Sequence, residues 1–235
     1  MALPKIVSPT FQIKIPSKNE YKRFRPFLVK EEKILLLAQQ GDEKDIVFAI
    51  KQVLNNCCID PIDVDALAIF DVEYIFLQLR AKSVNNIIQL KYRDNEDGEV
   101  YSFDLNLDEI DVVYSPDHTN KIKISDDIGM ILKYPSFDAV KDIIFNEAEG
   151  TVVFDKILNQ CIDRVYDAEN VYPASEYTEK EISDFIDSLE HKTFKQIETF
   201  FKTMPKIYHE LKYQNTLGHD RIIRLENIKD FFTWR

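Results

Sequence analysis

Adjacent carboxylates at Asp126-Asp127 could hold a cation, and Asp117-His118 sets an acid beside a titratable base. Neither spacing favours chemistry. Successive residues of an extended segment point to opposite faces, so Asp126 and Asp127 do not converge on one ion, and capping a turn or helix suits them better. Asp117-His118 follows Pro116, which puts the pair in an exposed turn. His209 and His219 flank a segment near the C-terminus. A closed zinc site needs four thiolate or imidazole ligands, and no cysteine lies near either histidine. The cysteines, Cys57, Cys58 and Cys161, are odd in number and include an adjacent pair. They read as small buried apolar residues in a reducing compartment. The five glycines are isolated, so no phosphate loop is formed. The expectation is no catalytic residue, no cofactor and no metal.

The elements that would position these residues follow from the hydrophobic period. Phe11, Ile13 and Ile15 alternate, Pro16 to Asn19 turn, and Phe24 and Phe27 lie on a return strand, which predicts an N-terminal hairpin. Pro26 marks that return strand as an edge or as ending. Ile34 to Leu37 before Gly41, and Ile46 to Leu54, predict two helices. A third is expected to start with Asp71 as its N-cap, carrying Tyr74, Ile75, Leu77 and Leu79, with Arg80 and Lys82 near its C-terminal end. Residues 86 to 133 read as short strands, with a hairpin turn at Asp94 to Gly98. Beyond Ser136 the pattern turns mainly helical. Phe137, Val140, Ile143 and Ile144 mark one helix, and Val152, Val153, Ile157, Leu158 and Ile162 mark another. Tyr172 to Ser175 reads as a loop. Thr178 and Glu181 have capping-box spacing before Ile182, Phe185, Ile186 and Leu189, and a last helix carries Phe194, Ile197, Phe200 and Phe201. Tyr208 to Leu225 predicts a closing hairpin around Leu217-Gly218, before a short turn or helix at Phe231-Phe232. The fold class is therefore α+β: an N-terminal hairpin, helices and a small antiparallel sheet over residues 1–135, then a mainly helical lobe with a closing hairpin over 136–235.

Composition bounds the partners. The formal net charge is −11, which repels phosphate backbones and disfavours nucleic acid. No stretch approaches the roughly 20 apolar residues of a membrane span, and the N-terminus lacks the apolar core of a secretory signal. Asp94 to Asp117 hold nine carboxylates and no Lys or Arg, whereas Lys14 to Lys33 hold seven basic residues against three acidic ones. These runs read either as solvated faces or as complementary faces between subunits. Sixteen Phe and eleven Tyr supply many packed or partner-facing rings.

Several strings then stand out in order. They are Phe27-Leu28-Val29-Lys30-Glu31-Glu32-Lys33; Phe70-Asp71-Val72-Glu73-Tyr74 running to Leu79-Arg80-Ala81-Lys82-Ser83-Val84; Asn120-Lys121-Ile122; Asp126-Asp127-Ile128-Gly129; and Leu132-Lys133-Tyr134-Pro135. Phe185-Ile186-Asp187-Ser188-Leu189, Phe200-Phe201-Lys202-Thr203-Met204-Pro205 and Asp230-Phe231-Phe232 complete the set. Together they resemble the T4-type bacteriophage baseplate protein family, specifically its baseplate hub subunit, over nearly the whole chain. The resemblance implies a non-enzymatic hub subunit or hub assembly factor of a contractile tail. It would work through other phage baseplate hub and tail proteins, in the host cytoplasm during assembly or in the virion, with self-association compatible. The family pattern also carries Cys-x-x-Cys knuckles, like small zinc ribbons, at both hairpins. Here those turns read Arg93-Asp94-Asn95-Glu96-Asp97-Gly98 and Gln214-Asn215-Thr216-Leu217-Gly218-His219, without thiols. Packing and turn chemistry must then replace the folding energy a metal would supply.

For an assembly protein the partner-binding candidates are Arg80 and Lys82, then Phe200, Phe201, Phe231, Phe232 and Trp234, since interface cores favour aromatics and Arg. Two other classes stay open. One is a phage enzyme with a carboxylate site near Asp126, Asp127 and His118. The other is a nucleic-acid-binding regulator using the helix pair at residues 178–204.

Overall fold

A computed structural model describes residues 7–139, 151–226 and 228–231. It is a mixed α/β chain with several small antiparallel sheets. Contacts gather residues 1–113 with 206–235 in one compact unit and residues 114–205 in a second. The first unit is thus discontinuous in sequence, and a cut near residue 135 runs through the second.

The first unit opens with the expected hairpin, β1 (Phe11–Ile15) and β2 (Glu20–Phe24), paired Phe11 to Phe24 and Ile15 to Glu20. Helices α1 (Val29–Ala38) and α2 (Glu43–Cys57) follow, and Asp42 caps α2 by accepting from the Lys44 and Asp45 amides. The third helix, α3 (Ile69–Ser83), starts two residues before Asp71, so Asp71 is not its N-cap. Its carboxylate instead reaches back to the Ala68 amide at 3.3 Å and accepts from the Ser17 amide at 2.8 Å, tying the first hairpin turn to the helix start. Phe70, Val72, Ile75, Phe76, Leu77 and Leu79 are all buried, together with Asp71, Glu73 and Arg80, so α3 is buried on most sides and lies at the centre of this unit. Two further hairpins belong to it: β3 (Ile87–Arg93) with β4 (Val100–Asn106), and, late in the chain, β11 (His209–Gln214) with β12 (Asp220–Leu225). Both tips carry a glycine in the left-handed region, Gly98 at φ 76° and Gly218 at φ 81°, where a Cβ is strained. A short pair, β5 (Val112–Val113) with β10 (Lys206–Ile207), joins the two chain segments.

The second unit is built on an antiparallel sheet in the order β6 (Lys121–Lys123), β7 (Gly129–Leu132), β8 (Ile162–Tyr166) and β9 (Val171–Pro173). Helices α4 (Thr151–Cys161), α5 (Glu179–Asp187) and α6 (His191–Thr203) accompany it. The mainly helical reading after Ser136 misses β8 and β9. Ile162, expected to end a helix, is the first residue of β8, because the helix passes into the strand with no glycine or proline between. Tyr172-Pro173, expected in a loop, lie on β9. The expected positions Val140, Ile143 and Ile144 lie outside the described residues. The capping box holds: Thr178 Oγ1 accepts from the Glu181 amide at 3.3 Å, and Glu181 accepts from the Thr178 amide at 2.8 Å. The core gathers Ile122, Met130, Leu132, Leu158, Ile162, Ile182, Ile197 and Phe200.

Candidate functional site

The first unit concentrates its polar chemistry where the tips of the β3–β4 and β11–β12 hairpins meet. Each tip is first closed on itself. The Asp94 amide donates to Glu99 O at 2.9 Å and Asp94 Oδ1 accepts from the Glu96 amide at 2.8 Å. Across the way, the Asn215 amide donates to His219 O at 3.0 Å, and Asn215 Oδ1 accepts from the Leu217 and His219 amides at 3.2 and 2.9 Å. Side chains then lock tip to tip. Tyr213 donates to Asp94 Oδ2 at 2.6 Å, and Arg221 Nε lies 3.1 Å from the same oxygen. Glu96 accepts from Asn215 Nδ2 at 2.8 Å and meets Arg221 Nη1 at 3.2 Å and His219 Nδ1 at 2.8 Å. Asp97 Oδ2 accepts from the Thr216 amide, from Thr216 Oγ1 and from the Tyr101 hydroxyl. The Tyr101 and Tyr213 rings sit 4.6 Å apart beneath this clasp.

Ionisation follows from these contacts. The Tyr213 hydroxyl, the Glu96 amide and Arg221 hold Asp94 below the usual carboxylate range. Burial pushes Asp97 up, but donors from Tyr101, Glu99 and Thr216 together overcome it, and its carboxyl falls well below that range. Burial and donation to Asp94 push the Tyr213 phenol up to about 12. Asp94 is fully buried and every carboxylate in the clasp is engaged by protein donors. Among the described residues no group of three or more His, Cys, Asp and Glu side chains is placed to hold a metal ion. What this arrangement can do is fix two hairpins against each other.

The acidic run is therefore partly an internal device. Asp94, Glu96 and Asp97 meet their donors within the chain rather than on another subunit. The basic run is likewise matched internally: Arg23 pairs with Asp60 at 2.6 Å, and Arg25 with the buried Glu31 at 2.9 Å. The signal that could have revealed the clasp is the spacing of Asp94, Glu96 and Asp97 before Gly98 against Asn215 and His219 around Gly218, two Asx turns of matching build.

The other chemical candidates are scattered. Asp126 is exposed and pairs with Lys123 at 2.8 Å, and the Ser125–Ile128 backbone bond makes this segment a turn. His118 does not engage Asp117. Its Nδ1 lies 2.9 Å from Thr203 Oγ1 and its Nε2 3.1 Å from the Tyr134 hydroxyl, with the ring stacked on Tyr134 and tilted on Phe200. Thr203 already donates to Thr199 O, so it accepts from His118 Nδ1–H, and Nε2 accepts from Tyr134. Burial lowers the His118 pKa. His209 lies on β11, opposite Leu225, while His219 belongs to the clasp. Cys57 and Cys161 are buried free thiols, each pushed up to about 12 by burial. On the helix pair, Ile182, Ile197 and Phe200 face the core of the second unit.

Of the expected partner contacts, Phe200 and Phe231 are fully packed and present no surface, because their rings are core material. Phe201 is half-buried against the same core as Phe200. Phe232 and Trp234 lie outside the described residues. Arg80 is nearly buried, its pKa lowered by burial, and with Val84, Ile87, Ile88 and Lys91 it lines a surface cavity of about 490 Å³. Lys82 is exposed, with Nζ 5.9 Å from the Phe11 ring centroid. Pattern reading missed several exposed apolar side chains on the first two helices. Val29, Leu36 and Leu37 on α1 are 67, 46 and 69% exposed, and Phe48 on α2 is 54% exposed. Val29, Leu36 and Leu37 fall on one side of α1 at i, i+7 and i+8.

Among the described residues no helix is long and apolar enough to cross a membrane. The family model described as T4 bacteriophage base plate protein matches residues 8–233. No curated protein and no solved structure matches the chain.

Proposed function

The chain belongs to the T4 bacteriophage base plate protein family, and from that premise we propose that it is a non-enzymatic hub subunit or hub assembly factor of a contractile tail. It acts through contacts with other baseplate hub and tail proteins, during assembly in the host cytoplasm or as part of the virion. The observation that carries this reading is the apolar side of α1 that faces solvent, where Val29, Leu36 and Leu37 stand exposed. Large exposed apolar patches on a folded protein mark interaction sites. Arg80, which lines the cavity at the end of α3, and exposed Lys82 form a second contact, and half-buried Phe201 a third. The net charge supports protein rather than nucleic-acid partners.

Affinity capture of the tagged protein from phage-infected cells, with mass spectrometry of the captured proteins and of purified virions, tests this. Tail or hub proteins are expected in the wild-type capture. The double substitution Leu36→Asp with Leu37→Asp is expected to lose them while the purified protein keeps its melting temperature. Capture of nucleic acid or metabolic enzymes without any tail protein would overturn the reading.

A further inference from the structure

The second unit holds a cavity at the margin of its core that the base plate reading does not use. It encloses about 440 Å³, within the roughly 300–1,000 Å³ of ligand sites, between the β8–β9 edge of the sheet and α5. Tyr166, Tyr172, Tyr177 and Phe185 line it, together with Asp167 and Glu181. No Lys, Arg or His is among its lining residues. The mouth is open: Tyr177 is 41% and Ile128 40% exposed.

Both carboxylates are held in place and ionised. Asp167 accepts from the Tyr172 hydroxyl at 2.7 Å and from the Glu169 and Asn170 amides at 2.8 and 2.7 Å. Those donors keep it below the usual carboxylate range, and the Thr178 amide and hydroxyl do the same for Glu181. Ring faces carry negative charge density and attract cations, most often guanidinium groups. Flat apolar walls with two fixed negative charges therefore match one side-chain chemistry, an apolar stem ending in a planar cation.

We propose that this cavity is a binding site for an arginine side chain of a protein partner, with the stem and guanidinium against the rings and the charge directed to Asp167 and Glu181. The choice of a protein as the source rests on the base plate reading. The site itself rests on shape and charge.

The probe is an acetylated pentapeptide, Gly-Ser-Arg-Ser-Gly, titrated into the isotope-labelled full chain and followed by amide NMR. Saturable shifts confined to residues 165–185 are expected. A citrulline version, equal in shape and neutral, is expected to bind about two- to fivefold more weakly, the size of one exposed cation–ring contact. Glu181→Gln keeps the capping geometry and removes the charge, so it should weaken the arginine peptide several-fold without shifting the melting temperature. Tyr177→Ala should abolish binding and Tyr177→Phe should preserve it. Equal binding of the citrulline peptide, or no shift up to the solubility limit, overturns the proposal. So does tetramethylammonium chloride that shifts the same amides where the arginine peptide does not, since the site would then serve a small organic cation. If tail proteins co-purify but the peptide does not bind, this site alone falls. If the peptide binds but no tail protein co-purifies, the arginine chemistry stands and the base plate role falls.

Discussion

The clasp of the first unit and the core of the second solve the same problem with opposite means. Between the hairpin tips, Asp94, Glu96 and Asp97 meet Tyr101, Tyr213, Asn215, Thr216, His219 and Arg221, and nearly every contact is a hydrogen bond or an ion pair. Around Phe200 the contacts are apolar, and the polar link is His118 between Thr203 and Tyr134. Burying a charge is costly unless it is paired and hydrogen-bonded, so the clasp is directional and intolerant of partial loss. The apolar core is indifferent to charge but sensitive to volume. The difference teaches where each region should break.

The largest effect is expected in the core. Phe200→Ala should cost about 3–5 kcal/mol, the usual range for emptying a buried phenylalanine site. Denaturant unfolding measures it, and hydrogen exchange should rise in residues 121–132 and 182–200 while the hairpin tips stay protected. Equal loss of protection at residues 94–99 and 213–221 would mean that the two regions unfold as one. A somewhat smaller effect is expected from Asp94→Ala, which removes the buried acceptor of the half-buried Tyr213 hydroxyl and one of the two carboxylate partners of Arg221. The melting temperature should fall by roughly 5 °C or more, with exchange rising at both tips and not around Phe200.

Titration sharpens the contrast. Asp94 and Asp97 have folded pKa values below their unfolded ones, so their contribution is complete above the unfolded carboxylate value of about 4 and is lost as pH falls through the folded values. Tyr213 is raised, so its contribution is complete below the ordinary tyrosine value of about 10 and fades as pH climbs towards about 12. His118 is a base with a lowered pKa. Its contribution is complete above about 6.5 and is lost as pH falls below that value. Acidification from pH 7 to 5 should therefore loosen residues 118–134 first and leave the tips protected. His118→Phe should remove that mild-acid slope. Simultaneous loosening of both regions in wild type would contradict the assignment.

Much of the fold is legible in the residues themselves. The three hairpins of the first unit follow from alternation around turn residues, and the capping box at Thr178 and Glu181 marks its helix correctly. The failures share a cause. Asp71 resembles an N-cap because acids favour first turns, but it stands at the third helical position, where its carboxylate accepts from the amide of the N-cap residue Ala68 instead of capping the amides of the first turn. β8 is hidden because Ile162 continues the apolar spacing of α4, so periodicity alone cannot see the change of conformation. The clasp was half legible. The two thiol-free turns were visible as needing a substitute for metal, but their complementarity depends on contacts between residues more than a hundred positions apart. Exposure of Leu36 and Leu37 was not legible at all, because an apolar run reads as core until neighbours are known.

The smallest expected effect separates two accounts of the clasp. His219 sits at its rim, with a side chain 61% exposed, and touches Glu96 at 2.8 Å. If the carboxylates and Arg221 hold the tips, the imidazole adds little, as exposed ion pairs contribute about 0–1 kcal/mol. His219→Ala should then shift the melting temperature by no more than a degree or two and leave exchange at Asp94 unchanged. The main-chain bond from the Asn215 amide to His219 O survives that substitution, so the Asx turn keeps its shape. A loss comparable to that of Asp94→Ala would instead make the imidazole the keystone. The tips would then be organised from the rim inward rather than from the buried Asp94 outward.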